Sequence, residues 1–163
     1  MSCAAFSAPE ARVSARPIEG FLELAPVPLG LPVEEVERRL GTAARVLTKD
    51  DRPIGFQYPD RGVWLVAEEG TIVSVSFLTG TADEGGAKFT GALPGGLSVD
   101  DAPERALAVY GPPDRIQEIP LLRPPHARMI LSFYDLATPA TVTFAVRSEA
   151  PTRFDRIVLA RRP

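Results

Sequence analysis

Cysteine is almost absent from this chain, with Cys3 standing alone. No internal disulfide can close, so the fold has to rest on a hydrophobic core rather than on covalent staples. Histidine is equally scarce. His126 is the only one, which excludes any metal centre built on several histidines. No stretch approaches the ~20 consecutive apolar residues of a membrane-spanning helix. Neither sign of charge dominates: the formal net charge is −3, which gives no electrostatic case for nucleic acid or for an anionic membrane surface. The first residues, MSCAAFSAPEARVSARP, lack the apolar stretch of a secretory signal. A cytoplasmic location is therefore expected. The alternative is a periplasmic lipoprotein anchored at Cys3, because Cys3-Ala4-Ala5 has the form of a mature lipoprotein start.

What the chain does have is turn formers and apolar residues. Its 163 residues include 17 prolines and 13 glycines, which favours short elements and many turns over long helices. The hydrophobic share of 45% is enough for a globular core, and a chain of this length should bury roughly 70% of its unfolded surface. Charge is divided unevenly along the chain. Residues 1–114 hold 10 basic and 17 acidic side chains, residues 115–163 hold 8 and 4. An acidic N-terminal portion of this kind fits a basic partner.

The clearest element is a helix of about ten residues beginning at Pro32. Proline suits the first turn. Glu34, Glu35 and Glu37 come early and Arg38 and Arg39 late, as the helix dipole favours. Val33, Val36 and Leu40 form one stripe, and Gly41 ends it. Strands are expected at 43–47, 54–58, 63–67 and 71–78, with a shorter one at 21–24. Residues 79–88, TGTADEGGAK, read as a linker and residues 1–20 as a flexible lead-in. A second run follows. It begins with a strand at 89–93. A helix then starts near Pro103, with Asp101 and Glu104 spaced as a capping box, and stops at Gly111. Strands are expected at 115–119, 129–134, 141–146 and 153–159.

Aligned on Gly41 and Gly111, the two runs repeat one pattern. Leu40-Gly41-Thr42-Ala43-Ala44-Arg45-Val46 matches Tyr110-Gly111-Pro112-Pro113-Asp114-Arg115-Ile116. The expected fold is α+β: two α-β-β-β-type repeats, residues 21–78 and 89–163, forming one curved antiparallel sheet with two short helices on one face. A Gly-Leu segment, a short helix ending in Leu-Gly or Tyr-Gly and a meander closing on an apolar strand resembles β-lactamase inhibitory protein. It is also similar to outer-membrane assembly lipoproteins of the SmpA/OmlA type. The resemblance implies a shallow cradle that clamps a partner's loop or docks in an envelope assembly.

No catalytic residue, cofactor or metal ligand is expected. The acid pairs Glu34-Glu35, Asp50-Asp51, Glu68-Glu69 and Asp100-Asp101 fall at helix starts and loop tips, where solvation or capping accounts for them. The glycine clusters lack phosphate-loop spacing. Binding candidates are more distinct. By period two, Trp64 and Val66 share one face and Val63, Leu65 and Ala67 the other, and an outward tryptophan would anchor a partner. Phe56, Tyr58 and Tyr134 flank matching turns, and Leu121 and Leu122 lie between prolines in a loop. The expected function is non-catalytic protein binding of inhibitor or immunity type, neutralising an enzyme or toxin. An envelope adaptor lipoprotein is the alternative, and a small-ligand carrier or enzyme the second alternative.

Overall fold

The computed structural model describes residues 29–81, 85–121, 128–136, 140–149 and 151–162. Within them lie two helices, α1 (Val33–Leu40) and α2 (Pro103–Tyr110). Eight strands complete the fold: β1 (Arg45–Lys49), β2 (Arg52–Tyr58), β3 (Val63–Glu68), β4 (Thr71–Phe77), β5 (Arg115–Pro120), β6 (Arg128–Asp135), β7 (Ala140–Arg147) and β8 (Arg156–Arg161). All eight form one antiparallel sheet in the order β1-β2-β3-β4-β8-β7-β6-β5. The α+β class holds. Each helix is followed by four strands, and the two runs meet where β4 pairs with β8.

Helix α1 forms for the reasons its sequence supplies. Pro32 precedes it, Val36 and Leu40 are buried, and the Gly41 N–H donates to the Glu37 carbonyl at 2.8 Å with φ +83°. On its outer side the Glu35 carboxylate accepts bonds from Arg38 Nε (2.8 Å) and Arg39 Nε (2.7 Å). Hydrogen bonding from Arg38, then from Arg39, lowers the Glu35 pKa from its usual 4.5 to about 2. A depressed carboxylate pKa stabilises the fold above pH 4.5, and that contribution disappears as pH falls through 2. The group is exposed, so the gain is small and salt-sensitive. A carbon-detected NMR titration should place the Glu35 midpoint near pH 2. In an Arg38→Ala/Arg39→Ala variant it should return towards 4.5.

Helix α2 starts differently from the capping-box expectation. Ala102 occupies the N-cap position with no side-chain bond to the helix. Asp101 Oδ2 instead accepts the Ser98 N–H at 2.8 Å, three residues back, so its carboxylate shapes the preceding turn.

The core lies on one side of the sheet. Cross-strand partners share a face, and the register carries Phe56, Leu65, Val75, Leu159, Val142 and Tyr134 across the sheet as one buried row. Both helices pack there. Tyr110 of α2 sits 5.0 Å from Tyr134 and 5.7 Å from Phe144, ring centre to ring centre. The Tyr58 hydroxyl donates to the Gly41 carbonyl at 3.1 Å, tying β2 to the end of α1. Burial raises the phenol pKa of both Tyr58 and Tyr134, with smaller contributions from Glu37 and Asp114 respectively.

The segment expected to link two units is tied down at several points. The Ala87 N–H donates to the Pro59 carbonyl (2.8 Å), the Phe89 N–H to the Leu78 carbonyl (2.9 Å), and Thr79 Oγ1 to the Asp155 carbonyl (3.2 Å). Phe89 begins no strand. It is buried, and its ring meets Phe77 at 4.9 Å. The run 89–93 packs as irregular chain because its aromatic fills the core beside β4 rather than pairing along an edge. The strand expected at 21–24 and the lead-in 1–20 lie outside the described residues.

Candidate functional site: the open face of the sheet

Among the described residues, the sheet's second face carries no helix. Its central row runs Arg45, Gln57, Trp64, Ser76, Val158, Thr143, Phe133, Arg115, one residue from each strand, each paired with the next. At about 4.8 Å between strands this row spans roughly 34 Å. Beside it lies a second row: Leu47, Gly55, Val66, Ser74, Ala160, Thr141 and Asp135. Trp64 is partly exposed, and Leu47 and Val66 are 39% and 42% exposed. On β4 the neighbours of Trp64 are small: Ser76 lies directly opposite it and Ser74 diagonal to it.

Charge on this face comes mostly from arginine. Arg115 lies over the Phe133 ring with its guanidinium carbon 4.0 Å from the ring centre, a cation–π contact at the β5 edge. Next to it, a cleft of about 390 Å³ is lined by Asp114, Arg115, Phe133, Asp135, Thr141 and Arg162. Its polar groups are engaged with one another. Thr141 Oγ1 donates to Asp135 Oδ1 at 2.7 Å, Arg162 Nη1 lies 3.5 Å from Asp135 Oδ2, and Asp114 Oδ2 accepts the Asp135 N–H at 2.8 Å. A second cleft, of about 400 Å³, lies by Thr42, Tyr58 and Arg61 at the end of α1.

Trp64 and Val66 share the open face as alternation predicts. Three other candidates are corrected. Phe56, Tyr58 and Tyr134 are 3%, 5% and 5% exposed and belong to the core under the helices, so none is an exposed anchor on the open face. Their strands alternate the other way: Gln57 and Phe133 face outward beside them. Phe133 is the aromatic that sequence reasoning passed over in favour of its neighbour Tyr134. Leu121 is partly exposed just beyond β5. Leu122, His126 and Cys3 lie outside the described residues. Among the described residues, no group of three or more His, Cys, Asp or Glu side chains is placed to hold a metal ion. No described helix is long and apolar enough to cross a membrane.

No family model matches the chain, and no curated protein matches it. Solved structures share its fold. One is a DUF4309 family protein, YjgB, from Bacillus subtilis, with a TM-score of 0.53 at 18% identity over 80% of this chain and 78% of that one. Another is a cysteine-rich secretory protein, SAV1118, from Staphylococcus aureus, with a TM-score of 0.53 at 8% identity over 82% of this chain. The match spans 43% of that second protein. At these identities the likeness is one of fold.

Proposed function

We propose that the protein binds another protein through the open face of its sheet and performs no chemistry of its own. The observation that carries this reading is Trp64: a large, amphipathic, partly exposed side chain stands on a face that no described helix covers, with Val66 and Leu47 exposed on the same face and arginines at its edges. Central aromatics with a polar rim are how protein interfaces concentrate their binding energy. The role that suits such a surface is that of an inhibitor or immunity protein, which neutralises an enzyme or toxin by covering its site. The reading includes a duplicated unit, one helix with its four-strand meander. Matching hydrogen bonds support it: Ala44 N–H to Gln57 O and Asp114 N–H to Phe133 O, each 2.9 Å, occupy equivalent places in the two runs. A cradle-like curvature belongs to the same reading and is supported by bulges at Leu47/Thr48 and Val66/Ala67, which bend strands locally.

The test uses wild-type chain and Trp64→Ala as parallel baits in lysate of the source cells, with bound proteins quantified by mass spectrometry. A partner retained by wild type should fall at least tenfold on the variant. Trp64 is only partly buried, so its loss should cost less than the ~3–5 kcal/mol of a core aromatic. Equal retention of every captured protein by both baits would sink the reading.

A further inference from the structure

We propose that the open face takes an acidic protein segment, apolar in the middle and carboxylate-bearing towards both ends. This rests on the open face being the docking surface. Summed along the chain, charge points to a basic partner; sorted by face, it points the other way. Arg45, Arg115, Arg147 and Arg156 stand on the open face, as the register of β1, β5, β7 and β8 requires, and Arg162 lines the cleft beside Arg115 and Thr141 at its border. Two of these meet carboxylates: Arg147 Nε lies 3.0 Å from Asp155 Oδ1, and Arg162 lies by Asp135. Arg45, Arg115 and Arg156 have no carboxylate partner among the described residues. Against them the face carries Glu68 near the β3–β4 turn, and Asp114 at the β6 rim, engaged with the Asp135 N–H. Much of the acidic charge of residues 29–81 sits elsewhere, with Glu34, Glu35 and Glu37 on α1 across the sheet and Asp50 and Asp51 in the β1–β2 turn.

The placement of the unpaired cations is what selects the occupant. Arg45 and Arg115 end the same row, one on each edge strand, with Trp64, Val158 and Phe133 between them. Arg115 is held by its contact with Phe133, which reduces the ordering cost of meeting a carboxylate. Guanidinium groups pair with carboxylates in bidentate geometry, which adds orientation to attraction. A segment lying across the strands would place its apolar residues on Trp64 and Val158 and its acids near either edge.

The experiment is selection from a phage-displayed random dodecapeptide library, roughly 40 Å when extended, on the intact chain. Trp64→Ala and the double reversal Arg45→Glu/Arg115→Glu serve as parallel targets, each checked for folding by circular dichroism. Enriched peptides should be net negative. A selected peptide should bind the double reversal at least tenfold more weakly, and should weaken between roughly 0.05 and 0.5 M salt. Enrichment of neutral or basic peptides that still depend on Trp64 would overturn the acidic occupant and leave the docking surface standing. Enriched peptides indifferent to Trp64 would remove the docking surface itself, and absence of any enrichment counts against the proposal. Tight binding of a fluorescent oligodeoxythymidylate, lost in the double reversal, would assign the face to single-stranded nucleic acid and overturn it as well.

Discussion

Phe144→Ala should be among the most damaging single truncations in this protein. Phe144 is 2% exposed and touches three other rings: Tyr110 at 5.7 Å, Tyr134 at 5.8 Å and Phe154 at 4.9 Å between centres. Those rings come from α2, from β6 and from the segment before β8. Phe144 is therefore where α2, a strand and the β7–β8 connection meet. Truncating it removes the transfer free energy of the ring and leaves a cavity that rigid neighbours fill poorly, a combined cost of about 3–5 kcal/mol. Domains of this size are stable by about 5–15 kcal/mol, so the variant forfeits a large fraction of the whole. At about 2–4 °C per kcal/mol, the thermal midpoint should drop by roughly 10 °C, measured by calorimetry. Phe144→Leu keeps most of the volume and should recover most of the loss. A midpoint unmoved by Phe144→Ala would mean that the four-ring cluster contributes little to stability.

The order of elements was readable in the sequence because local chemistry marks it. Pro32 with Gly41, and Pro103 with Gly111, bracket both helices to within a residue, and alternation finds the eight strands of the sheet with small shifts at their ends. The open face was only half legible. Period two separates Trp64 from Val63 and Leu65, yet it says nothing about which set of a strand faces which set of its neighbour. That relation is set by pairing register, and pairing Gln57 with Trp64 is what turns Phe56 and Tyr58 inward. The long-range order is less legible still. Arg45 and Arg115 fall on one row only because β4 pairs with β8, which brings residues 76 and 158 side by side and leaves β1 and β5 at opposite edges. Charge summed along a chain cannot anticipate this, since one strand sends alternate side chains to opposite faces. The linker expected at 79–88 meets a related limit. Its glycines suggest freedom, but Gly86 serves close approach: a β-carbon there would lie 2.6 Å from Leu78 Cδ1 and 3.1 Å from Pro59 Cα.

Gly62→Ala should destabilise the protein by about 2–5 kcal/mol, although it adds a single carbon. Gly62 follows the 3-10 turn Pro59–Arg61 with φ +69° and ψ +30°, a left-handed conformation. That conformation costs a residue with a side chain about 1–2 kcal/mol. The larger effect is steric. A β-carbon there would lie 2.5 Å from the Phe89 nitrogen, 2.6 Å from its α-carbon and 2.8 Å from the Ala87 carbonyl oxygen. All three are backbone atoms, and overpacking of this kind adds about 1–3 kcal/mol. The chain around Ala87–Phe89 cannot retreat freely. Its N–H groups donate to Pro59 and Leu78, and the Leu78 N–H in turn donates to the Gly62 carbonyl at 2.9 Å. Relief would therefore draw Phe89 off Phe77 and loosen the side of the core that β4 shares with this segment. Gly70→Ala, in the two-residue β3–β4 turn, is the control. It too has a positive φ, +76°, but its added carbon would meet nothing within 4 Å, so it should show the conformational cost alone. The difference between the two variants in urea denaturation isolates the steric part. If Gly62→Ala proves no worse than Gly70→Ala, the segment 87–89 yields easily and is a loosely held cover rather than a fixed part of the core.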